Sequence, residues 1–228
     1  MFPLSIKKNG AEKRFTLIQN PRLIFLVLSV LFFTSASGSE KFIEGEHFES
    51  ILPTLATAPP LGQVEVLEFF WYGCPHCFEF EGHIAKWIAN KKDYISFARV
   101  PAVFSEDWMI HAKAFYAAIE TQMIKQSHFA LFKALHEKQE RIYTETEVIN
   151  FFVEMGAKEN EFTSSFNSFA TATRAQRAQA LTKKAGISGV PSIVINGKYR
   201  SSARMAGGYG KLLELVDYLA DKEFKSLN

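Results

Sequence analysis

The sequence predicts an α/β fold whose two halves are separated by an all-helical insertion. Three observations carry this. A short apolar run, Val64 to Trp71 (VEVLEFFW), is rich in β-branched and aromatic residues and passes directly into a segment of helical spacing. From Ser105 to Lys184, about 80 residues show helical periodicity and no strand signal. Strand character then returns at Pro191 to Asn196 (PSIVIN), ahead of a last amphipathic helix. The chain has 228 residues, 47% hydrophobic and 22% charged, which suffices for a large core and excludes a disordered tail, a collagen-like fibre and a polytopic membrane protein.

Taken in order, Val64 to Trp71 reads as a buried strand, with the charged Glu68 flanked by Leu67 and Phe69. Pro75 to Lys91 reads as a helix, because Phe78, Ile84, Trp87 and Ile88 share a face and proline suits a first turn. Tyr94 to Val100 is a second strand, ended by Pro101. In the helical block, Trp108, Ala112, Phe115, Ile119 and Met123 define one face, and Phe129, Phe132 and Leu135 the next. Thr144 and Glu147 form a capping box before Val148, Phe151, Phe152 and Met155, with Gly156 as the stop. Phe162, Phe166 and Phe169 open a further helix that runs to Gly186. The phenylalanines fall mostly on buried faces. Asn196-Gly197 is a hairpin turn, Lys198 to Ser201 the returning strand, and Gly207-Gly208 a break before the Leu212 to Leu219 helix.

Residues 1–38 read as a signal peptide rather than part of the fold. A basic segment containing Lys7, Lys8, Lys13, Arg14 and Arg22 precedes eleven residues, Leu23 to Phe33, with one polar member, and then small residues; cleavage would follow Ala36, Ser37 or Gly38. Eleven residues are too few for a membrane anchor, which needs roughly 20. This leader holds five basic residues and one acid, so its removal takes the net charge from +2 to −2. Neither value points to nucleic acid. The remainder divides into 39–104, the insertion 105–186, and 187–228.

The chemistry rests on two cysteines, Cys74 and Cys77, in the run Cys-Pro-His-Cys at the strand-to-helix junction. Free N–H groups and the positive end of a helix favour a thiolate at Cys74, and His76 adds positive charge or a hydrogen bond. Cys77, one turn on and less accessible, is placed to resolve a mixed disulfide. A structural disulfide closing so short a loop would add little stability. A zinc site lacks two ligands, since His47, His76, His83, His111, His128 and His136 contain no H-x₃₋₅-H pair. Haem attachment requires histidine at position 78, which is Phe78. Glu68, a carboxylate in a buried run six residues before Cys74, is a candidate proton-handling group.

The runs LEFFWYGCPHC, Leu67 to Cys77, and GVPSIVINGKY, Gly189 to Tyr199, with a helical block between them, resemble the DsbA group of periplasmic thiol:disulfide oxidoreductases. The resemblance implies a thioredoxin-like fold, with the helical domain inserted after its βαβ half. It implies that Cys74 is the nucleophile, Cys77 its buried partner, Pro75 and His76 tuners of the redox potential, and Glu68 the family's buried acid. Pro191 would be a cis-proline facing the cysteine pair, and Val190 would offer backbone hydrogen bonds to substrate. No cofactor or metal is expected beyond the Cys74–Cys77 disulfide. The implied activity is donation of that disulfide to exported folding proteins by a periplasmic monomer, with reoxidation by a membrane partner of the DsbB type. Some members pair the buried acid with a lysine; here the neighbouring strand offers Arg99, to which no role is assigned. An isomerase or reductase is the alternative within this chemistry, although isomerases of this fold carry a dimerisation domain for which the roughly 20 residues before the first strand leave no room. A Cu(I) carrier using Cys74 and Cys77 is the alternative outside it.

Overall fold

The computed structural model describes residues 41–227, so the leader expected at 1–38 lies outside the described residues. Strands are β1 (Glu49–Ser50), β2 (Val64–Phe70), β3 (Ile95–Pro101), β4 (Ser192–Ile195) and β5 (Tyr199–Ser202). They form one sheet in the order β1-β5-β4-β2-β3. β2 and β3 run parallel, and every other neighbouring pair is antiparallel. The parallel pair is joined by α1 (Pro75–Asn90), and the last hairpin is followed by α7 (Ala203–Ala206) and α8 (Tyr209–Leu227). Between β3 and β4 lie α2 (Glu106–Glu120), α3 (Ile124–His136), α4 (Glu145–Glu154), α5 (Glu159–Phe166) and α6 (Phe169–Lys184).

Strand alternation sorts β2 into two faces. Val64 and Val66 pack with Phe80, Ile84 and Trp87 of α1 and with Leu212, Leu215 and Leu219 of α8. Leu67 and Phe69 point the other way, against Ala178 on α6 and Ile187 beyond it. A third cluster joins the start of α1 to the helical block, through Phe70, Tyr72 and Cys77 on one side and Phe115, Leu131 and Phe132 on the other. β2 is therefore buried on both faces, as a central strand flanked by helices must be. Glu68 sits in its middle with none of its surface exposed.

Local signals explain most element ends. Asn196 (φ 50°) and Gly197 (φ 64°) are both left-handed, as the central pair of the tight turn closed by the Lys198 N–H on the Ile195 carbonyl. A side chain at Gly197 would also meet the Leu55 carbonyl, its Cβ lying 2.6 Å from that oxygen. Thr144 caps α4: its hydroxyl accepts from the Glu147 N–H, while the Glu147 carboxylate accepts from the N–H groups of Tyr143 (2.8 Å) and Thr144 (2.9 Å). Thr144→Ala is expected to cost about 1 kcal/mol in denaturant titrations, with the slope of the transition unchanged.

Several expectations need correction. Pro101 belongs to β3, opposite Phe70, because it is the last residue of a strand with no neighbour on its other side. Phe162, Phe166 and Phe169 do not share a helix. α5 ends at Phe166, and Ser168 caps α6, its hydroxyl accepting from the Thr171 N–H. Phe169 thus falls on the first turn of α6 and is 87% exposed, and Phe129 on α3 is 46% exposed. The arm before β2, which carries no strand pattern, supplies β1 as the fifth strand through pairing of Glu49 with Arg200 and Ser50 with Tyr199.

Candidate active site at the start of helix α1

Cys74 is the N-cap of α1, with extended backbone (φ −93°, ψ 116°), and Pro75 occupies the first turn, where no N–H is needed. The Cys74 carbonyl accepts from the N–H groups of Cys77 and Phe78, both at 3.1 Å, so the chain turns into helix directly at the sulfur. Both cysteines are free thiols. Cys74 keeps 9% of its surface exposed and Cys77 none. The Cys74 thiol lies 3.5 Å from the Val190 carbonyl, toward which it donates, and the Val190–Pro191 peptide is cis. The structure therefore brings Cys74, Val190 and Pro191 together from segments more than a hundred residues apart.

The two thiols have opposite acidities. Cys74 falls from the ordinary thiol value of 9.0 to about 6: the Cys77 thiol donates to its sulfur, and the N–H groups of Cys77 and His76 and the charge of His76 add to this, against the cost of burial. Cys77 is pushed far up, first by burial, then by its donation to Cys74 and the charges of Cys74 and Glu68. The imidazole of His76 is largely in solvent and lies 3.4 Å from Glu79, and the Tyr209 hydroxyl stands 3.1 Å from both the Glu79 carboxylate and the His76 carbonyl. His76 faces an open groove of about 500 Å³ that is also lined by Val190, Pro191, Arg204 and Tyr209.

Behind Cys77, Glu68 and Arg99 lie directly opposite in the parallel β2–β3 register. Arg99 Nε donates to Glu68 Oε2 at 3.0 Å, and Arg99 Nη2 reaches both oxygens of Glu81, at 3.3 and 3.1 Å. Burial pushes the Glu68 carboxyl up to about 8, against the pull of Arg99 and with the charge of Glu81 adding to the rise. Glu81 is also buried, but its hydrogen bonds with His128 and Arg99 outweigh that cost and hold it below the usual carboxylate range. Arg99 is thus the cation beside the buried acid. Glu81 was not singled out from the sequence, yet its position held a signal: it is four residues after Cys77 and three before Ile84, on the apolar face of α1.

An aromatic wall borders the cysteine loop. Trp71 stacks on Trp108 with ring centroids 4.2 Å apart, and Phe104 meets Trp108 edge-on. Gly73 is required here, because a Cβ would fall 2.4 Å from the Trp71 ring. His111 and His128 are core histidines. His111 donates from Nε2 to the Ile142 carbonyl at 2.6 Å, and burial pulls its pKa down to about 4.

A family model described as thioredoxin matches residues 60–214. The chain is 34% identical to the thiol:disulfide interchange protein DsbA of Pseudomonas syringae pv. tomato, over 87% of this chain and 92% of that protein. It is 37% identical to the protein of the same name from Azotobacter vinelandii, over 75% and 80% of the two chains. The crystal structure of Pseudomonas aeruginosa DsbA is similar at a TM-score of 0.78 and 33% identity, covering 82% of this chain and 97% of that one. The α/β architecture expected from the sequence is thus the thioredoxin-like fold of these structures.

Proposed function

Because the chain belongs to the DsbA family of thiol:disulfide oxidoreductases in disulfide bond formation, we propose that Cys74 and Cys77 are its redox centre and that it oxidises exported, folding proteins. In the disulfide form, a substrate thiolate attacks Cys74 Sγ. The S–S bond breaks, and Cys77 leaves with the electron pair and takes a proton. A second substrate thiolate attacks the substrate sulfur of the mixed disulfide, and Cys74 departs as a thiolate. Two substrate thiols have then lost two electrons, and the enzyme's disulfide has gained them.

The observation that supports this most is the split acidity of the pair. A Cys74 held at about 6 is a good leaving group and a stable thiolate, so the reduced form is favoured and the disulfide is a strong oxidant. Cys77, whose thiolate is strongly disfavoured, needs a nearby acid on leaving. Glu68, at about 8, carries its proton at neutral pH and serves as that acid in this reading. Val190 and Pro191 present backbone beside Cys74 for an extended substrate segment, while Pro75 and His76 tune the thiolate. The helical block 105–186 contributes Trp108 to the aromatic wall flanking the same loop. Periplasmic residence after removal of 1–38, action as a monomer and reoxidation by a DsbB-type membrane partner complete the proposal.

Thiolate absorbance of the reduced protein, or its alkylation rate against pH, tests it. Titration of Cys74 near pH 6 is expected, with about ten thiolates per thiol at pH 7. Titration near the free-thiol value of about 8.5 would overturn the mechanism. An equilibrium with glutathione that places the potential at or below that of thioredoxin, about −270 mV, would favour the reductase alternative.

A further inference from the structure

The carboxylate pair behind Cys77 is served unequally, and the inequality originates in the helical block. Glu81 receives Arg99 Nη2 on both oxygens, and His128 Nε2 approaches its Oε1 at 3.2 Å. Glu68 receives one donor on Oε2, and its buried Oε1 has no hydrogen-bond partner. On its far side, His128 Nδ1 lies 2.9 Å from the Tyr72 hydroxyl. With Glu81 as an acceptor, His128 must donate from Nε2. Its Nδ1 then accepts from Tyr72, so every donor in the chain points toward Glu81.

We propose that His128, oriented by Tyr72, is a positioning residue that assigns the negative charge of the buried carboxylate pair to Glu81 and thereby keeps the proton on Glu68, the carboxyl facing Cys77. Two buried carboxylates sharing one arginine do not both ionise readily, and the one with more donors takes the charge. The groups facing the pair are Arg99 from β3, Cys77 from α1, Tyr72 from the loop before α1, and His128 from α3. His111 reaches only the edge of the Tyr72 ring, at 5.9 Å. Burial holds the His128 pKa below its ordinary value, so it serves as a neutral donor. The inference rests on Glu68 being the acid for Cys77, and it gives the helical block a share in the redox chemistry.

The test is an infrared titration of the protonated carboxyl band in the disulfide form, where no thiol titrates. The band is assigned to Glu68 by its loss in Glu68→Gln, and in the wild type it should titrate near pH 8. His128→Phe should lower that midpoint by about one pH unit, since Glu81 loses a donor and Arg99 turns toward Glu68. His128→Gln, whose amide still donates to Glu81, should restore it. Tyr72→Phe frees the imidazole to change tautomer and should shift the midpoint in the same direction. It carries the test if His128→Phe does not fold. A midpoint unmoved in His128→Phe and Tyr72→Phe, with melting temperatures lowered, would reduce His128 to a structural role and overturn the inference. A band that survives in Glu68→Gln would instead overturn the assignment of Glu68 as the buried acid.

Discussion

The reduced protein is expected to gain about 2–3 kcal/mol of stability relative to its disulfide form as the pH rises from 5 to 8.5. Cys74 falls to about 6 in the folded dithiol form, against about 8.5 for a thiol in an unfolded chain. A group with a depressed pKa contributes stability that is complete above the unfolded value and disappears as the pH falls through the folded one. The window is therefore pH 8.5 down to pH 6 and just below. The full shift would amount to roughly 3.4 kcal/mol, and the partial solvent access of the sulfur reduces it. The disulfide form has no thiol at position 74 and lacks this contribution. Burial of Glu68 is common to both forms and works in the opposite sense: its pKa is raised to about 8, so both lose stability as the pH climbs toward that value. Thermal melts of the two forms at pH 5, 7 and 8.5 check the difference, which should open by about 5–10 °C for a chain of this size. Parallel curves would refute it. The same free energy expressed as a potential is ~40–65 mV, so the pH dependence of stability and of oxidising power have one source.

How far the site could be read from sequence depended on whether its geometry is local. Cys74, Pro75, His76 and Cys77 lie within one turn, and the rule that a helix start stabilises an anion applies without knowledge of the rest. Glu68 was legible because a carboxylate flanked by Leu67 and Phe69 in an apolar strand is costly wherever that strand packs. The partners that set its acidity were not legible. Arg99 faces Glu68 only through the β2–β3 register, which depends on how α1 returns the chain. His128 arrives from α3 on the packing of Phe70, Phe115 and Phe132 around its ring, which no spacing in the sequence specifies. In the fold the same limit appears at Phe169. The i, i+4 and i+7 pattern from Phe162 fits one helix, but it fails because the serine at 168 offers a better cap than continuation. Strand β1 exists only by pairing with β5, and two residues carry no periodicity to detect.

Arg99→Met is expected to lower stability by about 3 kcal/mol at pH 8, and most of that loss should vanish at pH 5. Arg99 is the single guanidinium bridging Glu68 and Glu81, so its removal leaves an ionised Glu81 buried with only the neutral His128 as a donor. Breaking a buried pair by deleting one member costs about 3–5 kcal/mol, and the low end applies because the Arg99 side chain is 20% exposed and water reaches it. Without the cation the pKa of both carboxyls rises, so the penalty is complete above the new values and is progressively relieved as the pH falls and each takes a proton. The dependence runs opposite to that expected when a stabilising carboxylate pair is lost in acid, which separates a stranded charge from a packing defect. Removing the stranded charge as well, in Arg99→Met with Glu81→Gln, should recover much of the loss at pH 8. Urea titrations of the wild type and the two variants at pH 5 and 8 measure both effects. A single variant that unfolds at the wild-type midpoint at pH 8 would show that water, rather than Arg99, neutralises Glu81. In that case the elevated pKa of Glu68 would rest on burial alone, and the supply of a proton to Cys77 would not depend on the β3 cation.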